Sequence, residues 1–209
     1  MVNAIIDRGL NLLPSGGEVY YIPGVFSRDE SNEYFNELFS DVRWKQEPVK
    51  IFGREMMQPR LTAWHGDTDK PYTYSGLTME AAAWIQPLMR MKKVADEYSG
   101  VVSTSALLNL YRDGNDGLGW HRDNEKMLGP TPVIASISLG AERIFKLRRY
   151  DDKKEVIAIV LDPGSLLIMK GKSQQCWEHC VPKSKSVSGA RINVTFRQLT
   201  PAGVQRPSS

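Results

Sequence analysis

The chain reads as a mostly β protein carrying an α/β elaboration at its N-terminal side, and three features of its 209 residues lead there. Six segments after Gly100 are strand-like, separated by Gly, Pro, Asp or Ser. No long helical period interrupts them, which favours an antiparallel barrel or sandwich over a Rossmann sheet. Both helical patterns lie before Gly100. With 41% hydrophobic and 24% charged residues, the composition is that of a globular protein.

The elements follow in order. Pro14, Ser15, Gly16 and Gly17 form turns before a short aromatic strand at Val19–Ile22. Ser27 with Glu30 is a capping box, and Tyr34, Phe35, Leu38 and Phe39 recur at helical spacing behind it. A second helix is predicted from Pro87 to Gly100, with Trp84, Leu88, Met91, Ala95 and Tyr98 as its buried stripe. Strands are predicted at Thr104–Tyr111, Val133–Leu139, Glu142–Arg149, Val156–Leu161, Ser165–Met169 and Ala190–Gln198. The expected organisation is an N-terminal α/β extension over 1–100, a core over 101–199 integrated with it, and a loose tail over 200–209.

The net charge of +3 is unevenly spread. Residues 1–140 hold 14 Lys+Arg against 18 Asp+Glu, whereas residues 141–209 hold 13 against 6. A basic C-terminal part is compatible with a phosphate backbone, for which Lys170, Lys172, Lys183, Lys185, Arg148 and Arg149 are candidates. Two cysteines build no disulfide scaffold, and no apolar run is long enough to span a bilayer. A monomeric cytoplasmic or nuclear protein with no membrane partner is expected.

Only three histidines occur, and two keep informative company. His121 and Asp123 are separated by one residue, and His179 follows far downstream. Two imidazoles and a carboxylate make a facial triad, which holds Fe(II) on one face and leaves the other for cosubstrate and oxygen. In an extended segment positions 121 and 123 point one way and Arg122 the other. Cys176 and Cys180 flank His179, so a structural zinc on these three residues with His121 is the competing reading.

Period two along Arg191–Arg197 separates a polar face, Arg191, Asn193, Thr195 and Arg197, from an apolar one. That polar face suits either solvent or a dicarboxylate, since a guanidinium fork pairs bidentately with a carboxylate. Asn109 and Tyr111 share one face of their own strand and add an amide and a phenol.

Asn109-Leu110-Tyr111, Trp120-His121-Arg122-Asp123-Asn124-Glu125, His179 and Arg191-x-Asn193-x-Thr195-x-Arg197, in that order, resemble the AlkB family of Fe(II)/2-oxoglutarate dioxygenases. Three further stretches are similar to the family: residues 59–67, 72–76 and 134–140. The resemblance runs from Ile51 to Gln198.

It implies a double-stranded β-helix, or jelly roll, with iron at its mouth, and makes the extension over 1–100 a nucleotide-recognition lid. By the same comparison His121, Asp123 and His179 bind Fe(II), and Arg191 and Tyr111 hold the distal carboxylate of 2-oxoglutarate. Asn109 and Arg197 hold its keto-acid end, with Asn193 and Thr195 lining the pocket. The implied reaction consumes O2 and demethylates bases such as 1-methyladenine and 3-methylcytosine in DNA or RNA, releasing formaldehyde, succinate and CO2. A flipped base needs stacking surfaces and edge hydrogen bonds. The resemblance assigns these to Tyr72, Tyr74 and Ser75, with Trp64 in support; Arg60 is the nearby candidate for a lid or phosphate contact, and Glu125 or Asp67 for a carboxylate facing a cationic ring. Ile51, Phe52 and Gly53 resemble the apolar finger with which duplex-acting relatives enter the base stack; the end of a buried strand is the other reading. The competing functions are the same chemistry on protein or a small molecule, and a non-catalytic nucleic-acid-binding β-barrel with a structural metal.

Overall fold

A computed structural model describes residues 9–51, 54–67, 72–74, 77–79 and 81–199, with the backbone alone at 50, 51, 54, 72–74 and 77–79. The chain opens with β1 (Glu18–Ile22) and α1 (Arg28–Asp41), then β2 (Pro48–Ile51), β3 (Arg54–Met57), β4 (Leu61–Gly66), β5 (Tyr72–Tyr74) and β6 (Leu77–Met79). Helix α2 (Gln86–Ser99) leads into β7 (Ser105–Tyr111) and β8 (Leu118–His121). There follow β9 (Ile134–Gly140), β10 (Arg143–Arg149), β11 (Val156–Leu161) and β12 (Ser165–Lys170). A helical turn at Ser173–Cys176 precedes β13 (Trp177–Val181) and β14 (Arg191–Arg197).

Local chemistry sets the helix ends. The Glu30 amide donates to Ser27 Oγ at 3.3 Å while the Ser27 amide donates to Glu30 Oε2 at 2.8 Å, closing the capping box that starts α1. Pro87 sits in the first turn of α2, and Gly100 ends that helix at φ 74, the left-handed conformation glycine adopts without a Cβ penalty. Trp84 lies before α2 rather than on its stripe. Its ring stacks on Phe196 at 6.4 Å and its indole N–H donates to Asp67 Oδ1 at 3.0 Å.

Two antiparallel sheets carry the molecule. The larger has strand order β1-β12-β9-β14-β7-β4, the smaller β11-β10-β13-β8. Helices α1 and α2 press Leu38, Leu88, Met91 and Ala95 against one face of the larger sheet, where they meet Leu108, Ile137, Ile192, Val194 and Phe196. Burying each of these side chains larger than alanine contributes about 1.5–3 kcal/mol. The opposite face meets the smaller sheet through Tyr111, Leu167 and Met169 on one side and Phe145, Leu147, Ile159, Trp177 and Val181 on the other. Strand β14 is therefore central. Its apolar residues serve the helices, and alternation turns Arg191, Asn193, Thr195 and Arg197 toward the space between the sheets.

The jelly-roll expectation, a closed double-stranded β-helix, is corrected here. The larger sheet ends at β1 and β4 and the smaller at β11 and β8, and among the described residues no ladder joins the two. Closure requires backbone hydrogen bonds from edge to edge. These sheets meet through side chains instead, so the fold is mostly β with open antiparallel sheets and minor helices. The seven predicted strands and two helices are present with ends shifted by at most a residue or so. Strands β4 and β13 escaped prediction because neither Leu61–Gly66 nor Trp177–Val181 shows a regular polar–apolar alternation or a run of β-branched residues.

Candidate active site

The smaller sheet brings the two distant histidines together. His121 at the end of β8 is the register partner of His179 in β13, and their ring centroids lie 4.2 Å apart. His121 Nδ1 sits 2.8 Å from Gly119 O; as a donor to that carbonyl it leaves the Nε2 lone pair available, 3.8 Å from Asp123 Oδ1. Asp123 has left the strand, and its backbone N–H donates to Gln174 Oε1 at 2.9 Å. His121, Asp123 and His179 each offer one ligand atom, and these atoms lie within 4.8 Å of one another. Among the described residues this is the one such cluster of three or more ligand-type side chains. The Phe145 ring stacks on His179 at 5.2 Å and walls the site.

Electrostatics keep the three groups in ligand form. Burial pushes His179 down to about 3, the neighbouring His121 adding to the fall, and desolvation likewise lowers His121, so both imidazoles are neutral. Burial by itself would raise the Asp123 carboxyl. Arg197 overcomes it and holds Asp123 below the ordinary carboxylate range. The Arg197 contact is direct, Nη2 to Asp123 Oδ2 at 2.7 Å, with both side chains 4% exposed.

Beside the triad, a pocket between the sheets is lined by Asn109, Tyr111, Arg191, Asn193, Thr195 and Arg197, with Arg60 alongside. Ladder registry explains the convergence, because Arg191 pairs with Tyr111 and Asn193 with Asn109 across β14 and β7. Asn193 Nδ2 donates to Ser136 Oγ at 2.7 Å, while Thr195 Oγ1 donates to Asn193 Oδ1 at 3.0 Å. Arg60 Nε donates to Asn109 Oδ1 at 2.7 Å. Arg191 is 1% exposed and donates through Nη2 to Ser138 Oγ at 2.8 Å, yet its Nε and Nη1 have no hydrogen-bond partner. Burial lowers its pKa to about 10, against the pull of Tyr111. A buried guanidinium with two open donors is a site shaped for an anion, and a carboxylate matches the fork.

The predicted base-contact residues are less gathered. Arg60 lines the pocket, but Trp64 is 3% exposed in a small cluster with Leu107, Leu128 and Leu199. Glu125 precedes the 3-10 turn at Lys126–Leu128. Tyr72 and Tyr74 belong to a hairpin whose backbone alone is described, and Ser75 lies outside the described residues. Ile51 pairs with Arg54 at the end of the β2–β3 hairpin, and the Phe52 and Gly53 positions between them also lie outside. Of the basic track, Lys170, Arg148 and Arg149 are paired with Glu18, Glu178 and Asp151.

Arg122 turns away as alternation predicts, its guanidinium 3.7 Å over the Tyr150 ring. The zinc reading fails on the same rule. Trp177 and Val181 pack between the sheets with His179 on their face, so alternation sends Cys180 to the other. Sequence reasoning missed Gln174, Ser136 and Ser138. The serines did carry a signal, small hydroxyls at period two in a strand otherwise apolar; Gln174 carried none.

The donor set fits a divalent iron: neutral imidazoles and an ionised carboxylate converge on one point, with open guanidinium donors beside it. Comparison with known proteins agrees. The 2OG-Fe(II) oxygenase superfamily profile matches residues 18–197. Alpha-ketoglutarate-dependent dioxygenase alkB homolog 3 of Bos taurus is 40% identical over 202 residues, covering 92% of this chain and 70% of the relative. DNA oxidative demethylase ALKBH2 of Homo sapiens is 36% identical over 185 residues, covering 84% and 71%. The solved structure of OsALKBH1 superposes with a TM-score of 0.65 at 16% identity, covering 89% of this chain and 98% of that one, a likeness of fold.

Proposed function

This chain belongs to the AlkB family of the 2OG-Fe(II) oxygenase superfamily, and from that premise we propose that it oxidatively demethylates N-alkylated bases in nucleic acid, using Fe(II), 2-oxoglutarate and O2. The observation that carries the proposal is the His121, Asp123, His179 cluster opening beside the two unpartnered donors of Arg191. In this reading the three residues hold the metal. When bound, iron supplies O2 activation coupled to oxidative decarboxylation of 2-oxoglutarate to succinate and CO2.

The chain's own groups do the placing. Arg191 takes the distal carboxylate with the phenol of Tyr111 beside it, and Asn109, Asn193 and Thr195 orient the remainder of the acid. Arg197 keeps Asp123 ionised and fixes which carboxylate oxygen faces the metal, in addition to its assigned contact with the keto-acid end. The apolar wall of Phe145, Leu161 and Met169 limits water. A base flipped out of its stack enters over Arg60, with Trp64, Tyr72, Tyr74, Ser75 and Glu125 as the proposed surround and Ile51, Phe52 and Gly53 as the proposed duplex wedge. The substrates fitting this reading are 1-methyladenine and 3-methylcytosine, cationic rings that a carboxylate favours.

A panel of oligonucleotides, each with one N-methyl lesion, tests the proposal. DNA and RNA, single strands and duplexes, are incubated with Fe(II) and 2-oxoglutarate while formaldehyde and succinate are measured. Release of both in proportion to lesion is expected. Succinate release indifferent to every oligonucleotide but stimulated by protein or a metabolite would overturn it.

A further inference from the structure

Asp123 is held where it is by a residue outside the ligand set. Beyond His121 the chain has no ladder to join, so the buried Asp123 N–H needs an acceptor from elsewhere. Gln174 Oε1 supplies it at 2.9 Å, from a side chain 2% exposed. The neighbouring residue grips the same loop twice: Arg122 Nη1 donates to Gln175 O at 3.3 Å, and Gln175 Nε2 donates to Pro130 O at 2.7 Å. This short turn, Ser173–Cys176, runs straight into β13, which carries His179. The turn is seated from the other side by Gly17, where an added Cβ would stand 2.4 Å from the Ser173 nitrogen.

We infer that Gln174 is a positioning residue for the metal centre, its amide oxygen fixing the Asp123 backbone and coupling the carboxylate-bearing loop to the strand bearing His179. The inference rests on the metal-site reading given above. Two ligands on separate segments hold a common geometry only if the segments are tied, and groups one shell out from a metal affect affinity for that reason. Gln175 and Arg122 add to the tie through the Gln175 and Pro130 carbonyls, whereas the Asp123 N–H itself is bonded to Gln174.

The test compares the wild type with Gln174→Leu, which removes the acceptor at similar volume, and Gln174→Glu, which keeps an oxygen in its place. Two readouts are used: Co(II) affinity from its visible absorption, and amide hydrogen exchange in the metal-free protein. In Gln174→Leu, Co(II) affinity is expected to fall about 10- to 100-fold. Exchange of the Asp123 amide should rise sharply while the β7 amides, which report the global fold, stay protected. Gln174→Glu should return both values most of the way to wild type. Wild-type affinity and wild-type Asp123 exchange in Gln174→Leu would overturn the inference. So would exchange that rises equally at β7, because the residue would then be holding the fold and not the ligand. Absence of Co(II) binding by the wild type would overturn the metal-site reading itself, and the positioning role with it.

Discussion

Replacing Arg191 with methionine should make the protein more stable and unable to recognise 2-oxoglutarate, two effects of opposite sign from one side chain. The guanidinium is 1% exposed, with Nε and Nη1 unpartnered and one bond from Nη2 to Ser138. Each buried donor without a partner costs about 1–3 kcal/mol. An apolar side chain of similar length removes that cost and leaves the Ser138 hydroxyl without its donor, an offset of about 1 kcal/mol. For two such donors the net expected for Arg191→Met is roughly 1–5 kcal/mol of added stability. For a chain of this size that corresponds to a Tm increase of roughly 2–20 °C. With 2-oxoglutarate at a hundred times its Kd, the wild type should gain about 2.7 kcal/mol by mass action. Arg191→Met should gain nothing measurable. Arg191→Lys should keep part of the response, because a point charge replaces the cation without the fork. Thermal unfolding with Mn(II), with and without the acid, reads both effects. A variant that melts below the wild type in the absence of the acid would show the donors to be satisfied. An undiminished 2-oxoglutarate shift would remove Arg191 from the acid site.

Two further substitutions probe neighbouring claims. Asp123→Ala should abolish metal binding and also strip a buried partner from Arg197, costing about 3–5 kcal/mol in the metal-free protein; Asp123→Asn should lose the metal with a much smaller drop in Tm, and unchanged Co(II) affinity in either variant would exclude Asp123 as a ligand. Gly114→Ala should destabilise the loop between β7 and β8, since its Cβ would stand 1.8 Å from Ser184 O and force that backbone aside, at a cost of about 1–3 kcal/mol in chemical denaturation; no change in the unfolding midpoint would refute the close approach.

The site was more legible than the frame around it, and the reason is chemical. A triad announces itself by residue type, because three histidines leave few combinations and His121-x-Asp123 has an alternation that points both side chains one way. The polar face of β14 was equally visible, but its meaning was not. Four polar residues at period two fit water as well as an organic acid, and only strand order decides. With β9 on one side and β7 on the other, β14 has no solvent edge, and α1 and α2 cover its apolar face. The polar face then has to look into the space between the sheets, and a cation buried there without its full set of partners is informative in a way that a repeating pattern is not.

Whether sheets close is decided by register and edge pairing, which no local pattern encodes. Strand-like runs separated by turn residues are common to barrels and open sandwiches, so β10 and β11 read alike in either. Among the described residues the outer sides of β1, β4, β8 and β11 pair with no strand of the other sheet, and the pocket lies between the two layers. That arrangement has a consequence for the metal ligands. His121 and His179 are locked by ladder pairing within the smaller sheet, while the polar pocket-lining residues of β14 belong to the larger one. Asp123 stands between these two frames. Its backbone is bonded to Gln174 at the root of β13 and its carboxylate to Arg197 of β14, so it links the layer that carries the imidazoles to the layer that carries Arg191, Asn193 and Thr195. Neither tie could be read from the sequence, since Gln174 and Arg197 lie 51 and 74 residues from Asp123 and meet it only through the packing of one sheet on the other.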